Sequence, residues 1–162
     1  MSTPPSSRVL TWSDPIEVRA RVAELSGLDA MRAMRDGLIP PPPIAETMNF
    51  GLTEAEAGRV VFTCTPGPEH YNPIGTVHGG LACTLLDTVT GCAAHTVLPA
   101  GAGYTSIEIS VKYLRPITLD TGALTAVGTV TKPGRRVIFA EGTIVDAEGR
   151  TLAVASSSLL VL

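Results

Sequence analysis

One long stretch of this chain carries apolar side chains at helical spacing. Within residues 78–97 they recur every three or four positions: Leu81, Leu85, Val89, Cys92 and Ala93. Spacing of this kind places the side chains along one face of a helix. Because proline and glycine follow the segment, we predict a single long helix that ends before residue 99.

The rest of the second half has the pattern of strands. In "SIEISVKY" the apolar positions are every second residue: Ile107, Ile109, Val111 and Tyr113. Such alternation is typical of a strand with one buried face. Similar runs are "GRVVFTCTP", "ALTAVGTVT", "VIFAEGTIVD" and "RTLAVASSSLLVL", and residues 44–51 form a weaker one. The short turns between the later runs indicate antiparallel pairing. We therefore predict an α+β fold in which a long antiparallel sheet wraps around one mostly buried helix.

The first 43 residues differ from the rest and are predicted to be an N-terminal extension on a core domain of residues 44–162. Residues 1–12 are rich in proline and serine, which predicts a disordered start. Asp14 followed by Pro15 is a helix start signal, and a second short helix is expected over residues 28–36. Four consecutive prolines, residues 40–43, predict an extended linker.

Composition narrows the class of protein. The 162 residues suffice for one domain with a real core, and 44% apolar against 17% charged residues suggests surface hidden in an oligomer. A net charge of −3 gives no general attraction for nucleic acid or an anionic membrane. No signal peptide or membrane span is visible. Three scattered cysteines indicate neither a disulfide framework nor a zinc site, so a cytoplasmic protein with reduced thiols is expected.

The motif His78-Gly79-Gly80 stands where the long helix should begin. The first turn of a helix has backbone N–H groups without intrahelical partners, and two glycines leave them open to a ligand oxygen. The motif could therefore form an oxyanion hole, or the glycines could simply permit a tight turn. His78 could act as a general base, or fix the loop by hydrogen bonding. No nucleophile elbow accompanies it.

Asp87 is the only Asp, Glu, Lys or Arg in residues 79–97. Its neighbours on a helical wheel are small or polar, among them Cys83, Thr84 and Gly91. The stripe could be an ordinary solvated face, but such faces usually carry several charges. A lone carboxylate in an apolar helix therefore favours a cleft or a partner chain.

Three segments carry a resemblance to a known family. "NPIGTVHGGLACTLLDTVTG", "SIEISVKYLRPI" and "GRRVIFAEGTIVDAEGRTLAVAS" resemble the hotdog-fold acyl-CoA thioesterases, in particular the PaaI-like (phenylacetate-degradation-type) branch. The resemblance runs from about residue 44 to the end. It implies a sheet wrapped around one helix and sheets joined across a homodimer, and in this family dimers often pair into a homotetramer, so both dimer and tetramer stay open. It also implies an active site at the dimer interface.

The resemblance implies roles for individual residues. The family's carboxylate falls on Asp87, which would act on a thioester as nucleophile or as general base for water. The backbone amide that polarises the thioester carbonyl falls on Gly79. The asparagine that places the water or thioester falls on Asn72. A hydroxyl at the start of the next strand falls on Ser106, or on Thr105 if the alignment slips by one. No metal or cofactor is implied, since the CoA thioester is itself the substrate.

CoA phosphates need basic partners. The "KPGRR" turn offers Arg135 and Arg136, and Arg115 follows "SVKYL". These side chains could bind CoA, or simply be the charged groups of solvated turns.

Two other functions remain open. A hotdog-fold acyl dehydratase or hydratase would pair a histidine with a carboxylate. His78 and Asp87, nine residues apart, would lie on roughly opposite helix faces, which disfavours that pair within one chain. A non-catalytic acyl-CoA-binding protein would not need Asp87.

Overall fold

A six-stranded antiparallel sheet surrounds one central helix in the computed structural model, which describes residues 5–162. The helices are α1 (Pro15–Ala23), α2 (Gly27–Arg35), α3 (Pro43–Met48) and α4 (Gly79–His95). The strands are β1 (Phe50–Glu56), β2 (Arg59–Cys64), β3 (Tyr104–Tyr113), β4 (Leu124–Pro133), β5 (Val137–Val145) and β6 (Thr151–Val161). Their order across the sheet is β1-β2-β4-β5-β6-β3, so β1 and β3 are the edges. The predicted architecture is confirmed.

Helix α4 lies against five of the six strands. Its apolar stripe is fully buried at Leu85, Leu86 and Val89. The close approach depends on a glycine pair in the middle of the sheet, where Gly128 of β4 is directly opposite Gly142 of β5. A Cβ atom on Gly128 would come within 2.0 Å of the Val89 carbonyl oxygen. The sheet can therefore hold the helix backbone at contact distance only with glycine there.

The N-terminal helices follow the predicted signals. Asp14 accepts a hydrogen bond from the Ile16 amide and caps α1, and Ser26 caps α2 through the Asp29 amide. The Gly27 amide donates to the Leu98 carbonyl, which fixes the start of α2 to the end of α4. The predicted disordered start includes residues 1–4, which lie outside the described residues. Further along, Arg8 pairs with Glu69 at 2.9 Å.

The predictions for residues 40–51 were wrong in part. Pro43 begins helix α3 instead of continuing an extended linker, and the weak strand expected over residues 44–51 starts only at Phe50. Proline suits the first helical turn because its missing N–H has no partner to lose there. Asn49 then reverses the chain with a left-handed backbone, φ 53°. A domain boundary at residue 43 stays a prediction.

Strand β3 contains a β-bulge that strict alternation did not predict. Ser106 pairs with Leu159 and Glu108 with Ser158, which leaves Ile107 as the extra residue. The extra residue of a bulge shifts the alternation of side chains by one, so that residues an odd number of positions apart across the bulge share a face. Ser106 therefore faces α4, and so do Ile109 and Val111, which pack on the core beyond the bulge.

None of the helices described over residues 5–162 is both long enough and apolar enough to cross a bilayer.

Candidate active site

His78 is the N-cap of helix α4. Its Nδ1 accepts a hydrogen bond of 2.8 Å from the Gly80 amide. An imidazole whose Nδ1 accepts carries its proton on Nε2, where it is a donor and not a base. His78 therefore caps the start of the helix, and a part for it in a reaction stays a prediction. The Gly80 amide, expected at the substrate, is already engaged by this ring.

The Gly79 amide is the donor that remains. Within the described residues no acceptor is bonded to it. The carbonyl of the same residue accepts a hydrogen bond of 3.2 Å from the Tyr113 hydroxyl, and a Cβ atom on Gly79 would lie 3.3 Å from the Tyr113 ring. Tyr113 thus holds the peptide at the helix N-terminus, where the helix dipole favours a developing negative charge. No sequence signal pointed to a role for Tyr113, because its contact with Gly79 spans 34 residues.

Asn72 shapes the loop that leads into α4. Its Oδ1 accepts from the amides of Ile74 and Thr76, and its Nδ2 donates to the Thr76 hydroxyl at 3.0 Å. Three of its four hydrogen-bonding positions are therefore used within the loop, and one Nδ2 hydrogen is left for a substrate or water.

An open cavity of about 290 Å³ lies in front of this helix start. Asn72, His78 and Gly79 form one side of it, and the residues that follow β3 form the other. Arg115 lies among the latter and donates to the Thr151 carbonyl at 2.6 Å, which leaves further guanidinium N–H groups for a ligand.

Asp87 and Ser106 form a second polar cluster, further along α4. The Ser106 hydroxyl donates to the Asp87 carboxylate at 2.8 Å, and both residues are exposed in the single chain. The structure thus selects Ser106 as the partner. Thr105 is the residue before Ser106 in an extended strand, so its side chain points to the opposite face of the sheet. Because the bulge turns Ser106 toward α4, this contact could not be read from the alternation of polar and apolar residues.

The stripe of α4 that carries Asp87 continues beneath Tyr104. A Cβ atom on Gly91, one turn after Asp87, would come within 2.8 Å of the Tyr104 hydroxyl oxygen. Burial raises the pKa of Tyr104 well above its ordinary value, and nearby Cys92 and Asp87 raise it further. Burial also raises the pKa of Cys92 to about 12, so this thiol is protonated at neutral pH and unsuited to nucleophilic attack.

The Gly79 amide and the Asp87 carboxylate are too far apart to act on one atom within one chain. Gly79 and Asp87 are eight residues apart on one helix, which is about 12 Å at a rise of about 1.5 Å per residue. An oxyanion donor must lie about 3 Å from the reacting oxygen. His78, one residue earlier, is further still from Asp87, so a direct dyad of the kind a hydratase uses does not form within the chain.

The predicted basic residues lie in two different places. Arg115 is at the Gly79 cavity, whereas Arg135 and Arg136 are exposed in the β4–β5 turn. Ile138, two residues after Arg136, is in the same cross-strand row as Ser106, two strands away. At about 4.8 Å per strand and 3.3 Å per residue, the Arg136 backbone is about 12 Å from that of Ser106.

Burial and hydrogen bonding account for His70, His95 and Cys64. His70 is buried, with Nδ1 accepting from the Gly67 amide at 2.8 Å, and burial lowers the pKa of His95. Burial raises the pKa of Cys64 to about 11. Among residues 5–162, no three His, Cys, Asp or Glu side chains are grouped closely enough to hold a metal ion.

Comparison with protein families gives a match over a segment that contains Gly79, Asp87 and Ser106 but not Asn72. A family model described as the thioesterase superfamily matches residues 74–153. Human acyl-coenzyme A thioesterase 13 is 30% identical over 103 residues, which are 63% of this chain and 72% of that protein. A Halobacterium salinarum protein provisionally named an esterase is 39% identical over 95 residues, 54% of this chain. This last match spans 61% of the archaeal protein, less than two thirds of its length.

Solved structures share the fold. A Ralstonia eutropha protein described as a thioesterase related to phenylacetic acid degradation superposes with a TM-score of 0.73 at 25% identity, covering 80% of this chain and 98% of its own. A Streptococcus pneumoniae protein described as a hypothetical thioesterase and solved with coenzyme A gives a TM-score of 0.64 at 26% identity, covering 70% of this chain and 88% of its own.

Proposed function

The chain belongs to the thioesterase superfamily, and from this membership we propose that it is an acyl-CoA thioesterase with a composite active site shared by two subunits. Asp87 of one subunit and the Gly79 amide of the other act on the same thioester. One observation carries the proposal. The Asp87 carboxylate is oriented by Ser106 and the Gly79 amide is free at the helix N-terminus, but the two are too far apart to act together within a single chain.

The chemistry follows from these two groups. The Gly79 N–H would bind the thioester oxygen as negative charge develops on it, at the positive end of the α4 dipole. Asp87 would either take a proton from the attacking water or attack the carbonyl carbon itself. In both routes the C–S bond breaks, CoA leaves as a thiol after protonation, and one water is consumed to give the free acid. Ser106 positions the carboxylate by its hydrogen bond.

An edge strand supports the shared site. Strand β3 is ten residues long, and along the described part of the chain its outer edge pairs with no other strand. Ile107, Tyr113 and Leu114, on or next to it, are each more than half exposed: 54%, 56% and 52%. A long edge with exposed apolar side chains is a ready surface for strand pairing. A second copy paired along β3 would make one continuous sheet and cover these residues.

The basic residues support CoA as the carrier of the acyl group. In a composite site, Arg115 of the subunit that supplies Gly79 would lie on one side of the substrate, and Arg135 and Arg136 of the subunit that supplies Asp87 on the other. Guanidinium groups bind phosphate strongly in two-point contacts. The pneumococcal thioesterase solved with coenzyme A shows that a related chain of this fold accepts this carrier.

The two rival functions have less support. A hydratase needs a basic histidine near the carboxylate, and the Nδ1 of His78 is used to cap the helix. A binding protein needs no carboxylate held in place by a hydroxyl, as Asp87 is by Ser106.

The proposal is tested by the release of free thiol from a panel of acyl-CoA thioesters. We expect the purified protein to hydrolyse at least one member, and Asp87→Asn to lose at least about a hundredfold in rate, the usual scale for an acid–base group. The matched control is Glu141→Gln, which removes an exposed carboxylate on the outer face of β5. Hydrolysis that survives in Asp87→Asn would refute the role of Asp87, and no hydrolysis across the panel would favour a binding protein.

A further inference from the structure

A second cavity lies beneath the N-terminal helices and away from the Gly79 loop. It has a volume of about 650 Å³, within the range of about 300–1,000 Å³ usual for small-molecule sites. Helices α1 and α2 form its outer wall with Val18, Val22, Met31 and Met34. Both helices precede the segment that the family model matches.

The inner wall is the half of helix α4 that follows Asp87. Thr88, Cys92 and His95 of this helix line the cavity, together with Tyr104 of β3. Thr88 is the residue next to Asp87, and His95 is seven residues further, so the wall runs for about 10 Å along the helix axis. Tyr104 is two residues from Ser106 on the same face of β3, where it contacts Gly91. The cavity therefore begins beside the Asp87–Ser106 pair.

The lining is suited to an apolar ligand. Most of it is aliphatic, aromatic or methionine side chains, including Phe50 and Phe62 of the first two strands. Arg19 is its only Arg or Lys side chain among the described residues, and it is exposed. Burial lowers the pKa of His95, which keeps this imidazole neutral at pH 7. A single cation would not hold the phosphates of CoA here, and methionines adapt to ligands of varied shape.

We propose that this cavity receives the acyl group of the substrate, and that helices α1 and α2 make the protein selective for large apolar acyl groups over acetyl. The inference rests on the proposed thioesterase activity and adds the acyl class to it. The carbonyl lies at Asp87, the CoA part extends away over the subunit boundary, and the acyl group extends along α4 under Met31 and Met34. An acetyl group leaves the cavity empty and gains nothing from it, whereas every further methylene of a longer acyl group buries apolar surface there.

The experiment narrows the cavity and compares substrates. Val22→Trp places a large ring at a half-buried position of the cavity wall, and Ala20→Trp places the same ring at an exposed position of the same helix. The value of kcat/KM is measured for acetyl-CoA, octanoyl-CoA and phenylacetyl-CoA, with Tm as the check of folding. For the wild type we expect at least a tenfold preference for the two larger thioesters. Val22→Trp should lower kcat/KM for these by tenfold or more and leave acetyl-CoA within twofold, and Ala20→Trp should change neither.

Each outcome decides the question. If a folded Val22→Trp protein loses kcat/KM equally for all three thioesters, or loses it for none, the acyl cavity is overturned and the thioesterase activity stands. No hydrolysis of any thioester by the wild type would instead overturn the proposed function. If Val22→Trp does not fold, Met34→Trp with Arg35→Trp as its exposed partner on α2 repeats the comparison. A crystal structure of Asp87→Asn with octanoyl-CoA gives the direct answer, and an acyl chain outside the cavity would overturn the proposal.

Discussion

A mixture of two inactive variants should recover activity if the site is shared between subunits. The first variant is Asp87→Asn. The second is Gly79→Pro, which deletes the free N–H and adds a ring whose Cβ would lie 3.3 Å from the Tyr113 ring. Gly79 is the first residue of α4, the helical position at which proline is best tolerated, and the preceding His78 has the extended backbone, ψ 133°, that a following proline requires.

The size of each effect follows from the geometry. Loss of one oxyanion donor costs about 2.7–4 kcal/mol, or about 10²–10³ in rate, and Asp87→Asn should cost at least as much. Random pairing makes about half of the dimers mixed. In a mixed dimer one site combines both altered residues, and the other combines Asp87 of one chain with Gly79 of its partner. About a quarter of all sites is therefore intact.

The assay is thiol release after the two variants are mixed, unfolded in urea and refolded together. Wild-type protein taken through the same cycle sets the full rate, and each variant refolded alone sets the background. Gly79→Ala is the matched control, because it adds a Cβ atom but keeps the N–H, and it should retain much more activity than Gly79→Pro. A mixture that stays at the background rate, with wild type recovering fully, would refute the shared site and require both groups to act within one chain.

Two further predictions concern stability. Gly128→Ala should destabilise the fold by about 1–3 kcal/mol or more in urea unfolding, because its Cβ would meet the Val89 carbonyl at 2.0 Å, whereas Gly51→Ala in open space on β1 should be nearly neutral; equal effects would contradict the close helix–sheet contact. Burial lowers the pKa of His95, so the unfolded chain binds more protons between that depressed pKa and about 6.5. The free energy of unfolding should therefore rise with pH through this window, more steeply in wild type than in His95→Gln, and identical slopes would rule out His95 as the source.

The helix and the general sheet were predictable because they depend on local periodicity. The apolar residues of α4 repeat every three to four positions over four turns, and no other segment of the core has that helical spacing over a comparable length. Residues 44–48 belong to helix α3 and not to the expected strand, because the six residues of α3 are too few to establish a period and because proline at the start of a helix looks the same in sequence as proline in a linker.

The candidate site was only partly predictable. The sequence singled out Asp87 as a lone carboxylate and Gly79 as an open helix start, since both are conspicuous in their own segments. Tyr113 and the cavity under α1 and α2 were not found. Their partners in space are distant in sequence: Tyr113 contacts Gly79 across 34 residues.

The sequence by itself therefore determined helix α4 with its N-terminus, the strands of the second half and the position of the carboxylate, all of which depend on residues within a few turns of one another. Tertiary structure decided which groups meet. The bulge at Ile107 turns Ser106 toward Asp87, the rise of α4 keeps Gly79 about 12 Å from Asp87 along the helix axis, and the N-terminal helices form one wall of the cavity beside α4. These outcomes depend on strand register and on helix–sheet packing, which are set by contacts between segments distant in the chain.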